Sequence, residues 1–278
     1  MSGFAGPSRT LALALALVSG AGRADDAPRR VVSMNVCTDQ LAMLVAGEGQ
    51  LLSVSWLAGD PRVSAMSAEA AGYPQNHGRA EEVFLLQPDL VLVGAYAGRE
   101  AADMLRRLGV RVEVFEPEAG LADIPDRIRQ MGRALGREER AEALVAEFEV
   151  RLALLRQAAT HRPRAALYFA NGYTSGVRSL AGEILAAAGF ANVAEETGHA
   201  DGGIMPLEVL VMAEPDALIT GETYPGASRS EAILDHPAVA GLRARAAGAT
   251  TDSDWVCGTP HVLRAVERLV RLRENLPS

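Results

Sequence analysis

The chain has 278 residues with a formal net charge of −8, and hydrophobic residues make up 49% of it. That hydrophobic share supports a substantial core and excludes an intrinsically disordered chain. An acidic chain also lacks the positive surface that non-specific nucleic-acid binding needs, so we expect no nucleic-acid partner.

The N-terminus has the pattern of a secretory signal peptide. Arg9 precedes an apolar run at 11–18, and small residues follow that run. Eight apolar residues are too few to cross a hydrocarbon layer of about 30 Å as a helix. We therefore predict that residues 1–24 are a signal peptide, cleaved after Ala21 or Ala24, and that the mature protein is periplasmic.

The first part of the mature chain alternates between strand and helix patterns. Strands are predicted at 29–34, 51–56, 89–94 and 110–116. Helices are predicted between them at 38–47, 80–87 and 99–108, the first capped by Thr38 or Asp39. This alternation indicates a parallel sheet with helices on its faces.

The middle of the chain is helical without any strand from 124 to about 160. Its tract 138–159 carries one apolar stripe and would form a rod of roughly 33 Å. The alternation then resumes, with strands at 164–171, 191–196, 216–221 and 249–253 and helices at 181–189, 207–214, 228–235 and 260–275.

The predicted fold class is therefore α/β, with two Rossmann-like lobes of mostly parallel sheet joined by a long connecting helix. The lobes span 25–120 and 164–278, and the helical connector spans 121–163.

One short pattern occurs twice, once in each lobe. Residues 79–93 read RAEEVFLLQPDLVLV, and residues 206–220 read PLEVLVMAEPDALIT. Each copy contains Glu-x6-Pro-Asp followed by an apolar strand, starting at Glu81 and at Glu208. Any junction of helix, proline and strand would look similar, but the shared glutamate offset favours a true repeat.

This doubled pattern around a long helix resembles the class III periplasmic substrate-binding proteins, which serve ABC importers of ferric siderophores, haem and cobalamin. VVSMNVCTDQLAMLVA is similar to the family's first strand and helix, and PDLVLV to its third strand. The resemblance covers essentially all of the mature chain. It implies a ligand cleft between two lobes, a metal-chelate ligand, an ABC permease as partner and no catalysis. We also expect a monomer.

The resemblance implies a docking role for the two repeated glutamates. Glu81 and Glu208 would each pair with an arginine pocket of the permease. The alternative is that both are ordinary first-turn glutamates, favoured there by the helix dipole. Glu82 adjoins Glu81 and is a candidate to share or replace its role.

Polar and aromatic residues gather in loops that follow the predicted strands, where ligands of open α/β sheets bind. Aromatic residues make up only 5% of the chain. Their clustering suits a bulky, flat and partly apolar ligand, although rings can also plug the ends of a sheet. The predicted ligand contacts are Asn35, Trp56, His77, Tyr96, Tyr173, Tyr224 and Trp255. His77 stands in PQNHG at 74–78, where a Pro-x-Val-Gly is frequent in the family.

The two cysteines, Cys37 and Cys257, follow the first and last predicted strands. An even count in an exported protein favours one disulfide, which would join the two lobes. The rival interpretations are a soft-metal site that includes Met34, His77 or His261, and two separate thiols.

No spacing typical of a resident metal, cofactor or catalytic nucleophile occurs in the chain. It lacks HxxE, CxxC and Gly-x-Ser-x-Gly patterns, and without lysine it has no phosphate-binding Gly-Lys motif. We therefore predict a binding protein without a cofactor. The rival hypothesis is an exported enzyme or a sensory binder.

Overall fold

The computed structural model of the protein describes residues 27–96, 98–156, 161–222, 226 and 228–276. The predicted signal peptide and Tyr224 lie outside the described residues. None of the described helices is long and apolar enough to cross a bilayer.

The N-terminal lobe is built on five parallel strands in the order β3-β2-β1-β4-β5. The strands are β1 (Val31–Ser33), β2 (Leu51–Ser55), β3 (Gln75–Asn76), β4 (Leu90–Gly94) and β5 (Arg111–Phe115). The helices are α1 (Val36–Val45), α2 (Ser67–Ala70), α3 (Ala80–Leu85) and α4 (Arg99–Arg107). The sequence analysis did not predict β3, because two residues are too few to show a period.

The connector is a helical hairpin of α5 (Ile124–Leu135) and α6 (Glu138–Leu155). Gly136 ends α5 with a φ of 65°, in the left-handed region that favours glycine. Helix α6, the long helix of the connector, ends at Leu155. Residues 157–160 lie outside the described residues.

The C-terminal lobe is built on four parallel strands in the order β11-β10-β6-β8. Its strands are β6 (Arg164–Tyr168), β7 (Tyr173–Thr174), β8 (Ala191–Asn192), β9 (Gly203–Ile204), β10 (Ala217–Gly221) and β11 (Ala247–Thr251). Its helices are α7 (Leu180–Ala187), α8 (Val193–Glu196), α9 (Leu207–Ala213), α10 (Pro237–Arg243) and α11 (Val262–Glu274). The order matches β5-β4-β1-β2, so the lobes share one topology; β7 and β9 form a separate antiparallel pair.

Three of the differences from the predicted elements arise from local capping or turn geometry. The strand predicted at 191–196 stops at Asn192, whose side chain accepts a hydrogen bond from Ala194 N–H and starts α8. The helix predicted at 228–235 forms only a short 3₁₀ turn at Ala232–Asp235, and α10 follows it. Helix α1 begins at Val36, and its cap is Asn35.

One buried hydrophobic cluster runs through both lobes and the connector. Its members include Val31, Leu41, Ile128, Phe148, Leu167 and Val266. Helix α6, about 27 Å long, is also tied to a helix of each lobe. Arg140 Nε donates to the carbonyl of Leu44 on α1 at 3.2 Å, and Arg151 pairs with Glu267 on α11 at 2.5 Å. The lobes are therefore packed on a common support.

The Pro-Asp part of the repeat has the same architectural role in both lobes. Asp89 accepts from the backbone N–H of Arg30 at 3.0 Å, and Asp216 accepts from that of Arg164 at 2.7 Å. Arg30 directly precedes β1, and Arg164 is the first residue of β6. The aspartates thus fix the start of β1 and of β6.

The same two arginines also cap the helices of the repeat. Arg30 donates to the carbonyls of Leu86 and Gln87 at the end of α3. Arg164 donates to those of Ala213 and Glu214 at the end of α9. Gln87 and Glu214, both before a proline, adopt left-handed φ values of 48° and 44°. The repeat therefore encodes a helix end as well as a strand start.

Candidate functional site

The carboxyl ends of the strands face each other across the two lobes. Within each lobe the sheet is parallel, so its strands all end at the same edge. Cys37 follows β1 and Cys257 follows β11, and the structure joins them in a disulfide with Cα atoms 5.2 Å apart. This bond places the two edges opposite one another.

Polar contacts around the disulfide also hold the two strand edges close together. Arg264 Nη2 donates to the carbonyl of Ala65 in the other lobe at 3.2 Å, and Gln40 Nε2 lies 3.4 Å from Cys257 Sγ. The guanidinium of Arg264 is itself held by the buried Asp254 at 2.9 Å. The spacing of the edges is thus set by a cluster of contacts and not by the disulfide alone.

Three of the predicted aromatic contacts lie exposed at these edges. Trp56 opens the 3₁₀ turn after β2, Tyr96 follows β4, and Tyr173 begins β7 after β6. Tyr96 is 75% exposed. None of these three rings belongs to a hydrophobic cluster of the described residues, so their apolar faces remain available to a ligand.

Two further predicted contacts, Trp255 and Asn35, have partners within the fold. Trp255 is half-buried and packs against the main hydrophobic cluster. The Asn35 side chain accepts from the backbone N–H groups of Cys37 and Thr38 at 3.0 and 3.4 Å, which caps α1. The sequence pattern did not indicate this capping role, because it predicted the start of α1 two residues too late.

His77 is exposed at the end of β3 and is coupled to Glu82. Its backbone N–H donates to Glu82 Oε2 at 2.9 Å, and its Nδ1 lies 3.3 Å from Glu82 Oε1. The hydrogen bond from the His77 backbone holds the pKa of the Glu82 carboxyl below its ordinary value. Glu82 is therefore engaged in ordering this loop.

A cavity of about 290 Å³ lies beside Tyr96. Gly94, Arg99, Arg106 and Glu116 contribute to its lining. The Arg99 guanidinium lies 5.9 Å from the centre of the Tyr96 ring. This volume is at the lower end for a small-molecule pocket, so it would hold only part of a macrocycle.

A buried polar layer lies under the carboxyl edge of the sheet in the N-terminal lobe, and the sequence patterns did not indicate it. Asn76 donates to the carbonyls of Ser33 and Val54 and to the hydroxyl of Ser53. Asp39 accepts from the backbone and hydroxyl of Ser55 at 3.1 and 2.5 Å. The available signal was serine at the inner positions of otherwise apolar strands. This layer holds the ends of β2 and β3, which Trp56 and His77 directly follow.

Glu81 and Glu208 occupy matching places in the two lobes. Each lies in the first turn of its helix, α3 or α9, and each is exposed. Neither carboxylate has a hydrogen-bond or ion-pair partner among the described residues. The helix N-terminus favours a negative charge there, which leaves both groups open to a cationic partner.

No group of three or more His, Cys, Asp or Glu side chains in the described ranges is placed to hold a metal ion. The residues at the strand ends offer mainly aromatic rings, amide groups and arginines. Such an arrangement binds organic molecules or preformed complexes more readily than bare ions.

Comparisons with known proteins agree with this architecture. The family model described as "Periplasmic binding protein" matches residues 31–251. A search of curated proteins gives no match.

Several solved structures share the fold. The periplasmic haem-binding protein RhuT from Roseiflexus sp. RS-1 is 24% identical with a TM-score of 0.72, over 88% of this chain and 97% of that chain. The vitamin B12-binding protein BtuF of Vibrio cholerae is 20% identical with a TM-score of 0.65, over 89% and 97%. A protein of the Fe3+-hydroxamate transport system from Saccharomonospora viridis is 22% identical with a TM-score of 0.64, over 89% and 93%. On the match of the family model, the chain belongs to the periplasmic binding protein family.

Proposed function

We propose that this protein is exported to the periplasm, captures a metal chelate between its lobes and delivers it to an ABC permease. The chelate would be a ferric siderophore or a cobalamin-like compound. The observation that carries the proposal is the set of exposed rings of Trp56, Tyr96 and Tyr173 at strand ends that face each other across the lobes. Of the related structures named above, two are haem-binding and vitamin B12-binding proteins and one belongs to an Fe3+-hydroxamate transport system, so the proposed ligand class agrees with these relatives.

We also assign the delivery step to Glu81 and Glu208. Both are exposed, both lack partners within the described residues, and they stand at equivalent places in two rigidly connected lobes. Two fixed charges of this kind would position the protein on a partner with two equivalent cationic sites. The protein would act as a monomer, without catalysis and without a nucleic-acid partner.

Haem is the second candidate ligand. The Nδ1 of His77 is next to the carboxylate of Glu82, an arrangement that orients an imidazole and strengthens it as a ligand through its other nitrogen. The exposed phenol of Tyr96 is the other group suited to an axial position. Either residue would then bind the iron of the haem as cargo.

A titration of the purified protein tests the proposal. Trp56 and Trp255 are its only tryptophans, so intrinsic fluorescence reports directly on the proposed cleft. We expect saturable quenching by a ferric hydroxamate or by cyanocobalamin, with a dissociation constant of about 1 μM or lower. Y96A should weaken that binding at least about tenfold through the lost ring contact, whereas L154A on the distant α6 should not.

Haem is tested in the same experiment by its absorption spectrum. A Soret shift that is lost in Y96A or H77A would identify haem as the ligand. If neither chelate nor haem binds, the proposed function is wrong. Turnover of a bound compound would instead support an exported enzyme.

A further inference from the structure

Two apolar side chains are exposed on the helices that carry Glu81 and Glu208. Leu85 on α3 is 80% exposed and Met212 on α9 is 83% exposed. Among the large hydrophobic side chains of the described residues, these two are the most exposed. Folding leaves both in water, although burial of either would be favourable.

Leu85 and Met212 occupy the same position of the repeat. Each follows its glutamate by four residues, which places the pair one helical turn apart on a common face. Val83 and Leu210, two residues after the glutamates, are fully buried and attach each helix to its lobe. Each lobe thus presents one carboxylate and one apolar side chain outward.

The backbone beneath these side chains is held firmly. Arg30 donates to the carbonyl of Leu86, directly after Leu85, at 2.6 Å. Arg164 donates to the carbonyl of Ala213, directly after Met212, also at 2.6 Å. A contact on a preorganised backbone loses less conformational entropy on binding.

Exposed hydrophobic residues occur elsewhere on the surface, and single ones need no explanation. Val150 and Leu154 on α6 are examples. Leu85 and Met212 differ because each lies beside a carboxylate that has no partner among the described residues, and because the pair is repeated in both lobes. A shared position in two lobes points to a partner that also has two equivalent sites.

We propose that Glu81 with Leu85 and Glu208 with Met212 form two equivalent contact sites for the permease. Each site takes a basic group of one permease subunit together with an apolar depression beside it. This inference rests on the proposed function and adds to it the apolar half of the docking surface. The charges speed association, and the apolar side chains lengthen the lifetime of the complex.

The test measures binding kinetics of the protein on its cognate permease–ATPase complex in lipid nanodiscs, at low and at high salt. L85A/M212A should bind at least about tenfold more weakly, mainly through faster dissociation and at both salt concentrations. E81A/E208A should associate more slowly and lose most of its salt dependence, because screening acts on exposed charges. The matched control V150A/L154A removes two exposed apolar side chains elsewhere and should bind like the unmodified protein.

The outcomes distinguish a failure of the apolar contact sites from a failure of the proposed function. If L85A/M212A binds like the control while E81A/E208A is impaired, the apolar sites are overturned and the docking role of the carboxylates stands. If the unmodified protein binds no permease, the proposed function itself fails. If L85A/M212A loses thermal stability or ligand affinity, L85Q/M212Q replaces it in the test, because glutamine keeps the side-chain size and helix propensity. This variant must then show the same faster dissociation.

Discussion

At the scale of single residues, the clearest electrostatic feature is Asp39. Its carboxyl is fully buried in the polar layer beneath the carboxyl edge of the sheet in the N-terminal lobe. It accepts hydrogen bonds from the backbone and hydroxyl of Ser55. Burial raises its pKa from 3.8 to about 6, against the opposing effect of the serine hydrogen bonds. A group with a raised pKa binds its proton more tightly in the folded state than in the unfolded state.

This predicts a pH-dependent contribution to stability. The proton on Asp39 stabilises the fold fully below pH 3.8, and that contribution is lost as the pH rises to about 6. D39N keeps the shape of the protonated acid and lacks the titration. The unfolding free energy of the unmodified protein minus that of D39N should therefore fall by roughly 1–3 kcal/mol between acidic and neutral pH.

Urea unfolding of both proteins from pH 4 to pH 8 measures this difference. D126N, at an exposed position of α5, is the control and should follow the profile of the unmodified protein. A difference between unmodified protein and D39N that stays constant with pH would show that Asp39 does not titrate in this range.

At the scale of elements, the connector hairpin depends on a close approach of its two helices. A Cβ built on Gly132 of α5 would lie 2.5 Å from the Cβ of Ala141 on α6 and 3.3 Å from the Cα of Glu138. Only a glycine allows this contact without moving one of the helices. The spacing matters for function because α6 is the support shared by both lobes.

We therefore predict opposite effects for two glycine substitutions within helices. G132A should lower the unfolding free energy by about 1–3 kcal/mol, because overpacking outweighs the gain in helix propensity. G241A on α10 meets nothing within 4 Å and should raise stability by about 0.5–1 kcal/mol. Thermal unfolding of both variants measures these changes in stability. An equal change in unfolding free energy for G132A and G241A would mean that α5 and α6 pack less closely than the structure shows.

At the scale of the whole molecule, the two lobes share one hydrophobic cluster, one bridging helix and one disulfide. We expect such a body to allow small hinge movements between its lobes and not a wide opening. The residues that would face the ligand are thus held at a nearly constant separation.

The disulfide should contribute strongly to stability, because it closes a loop of 220 residues. In the chain-entropy model a loop of this size is worth about 5 kcal/mol, and strain commonly reduces the measured value. C37S/C257S should therefore unfold with a free energy about 3–5 kcal/mol below that of the unmodified protein.

Denaturant unfolding with and without reductant checks this prediction. Reductant should destabilise the unmodified protein and leave C37S/C257S unchanged. Intact mass should show the two hydrogens that reduction adds. If reductant changes neither the mass nor the stability of the unmodified protein, the protein contains no such bond.

Local sequence patterns by themselves determined the fold class, the lobe repeat and most elements. Apolar periodicity and the breaks at Pro88 and Pro215 act over a few residues, so they can be recognised without coordinates. The same patterns placed Trp56, Tyr96 and Tyr173 after strands, because strand ends are local events. They failed at α8 and α10, where a side-chain cap and a turn outweigh the periodicity.

Only the tertiary structure decided which residues serve the fold and which remain free. It assigned Asn35 to a cap and Glu82 to His77, and within the described part of the chain it left Glu81, Leu85, Glu208 and Met212 without such contacts. Exposure and pairing depend on residues far away in the chain, as in the hydrogen bond from Arg264 to the carbonyl of Ala65. A contact of that kind leaves no local pattern, because it arises only when the two lobes pack on one core.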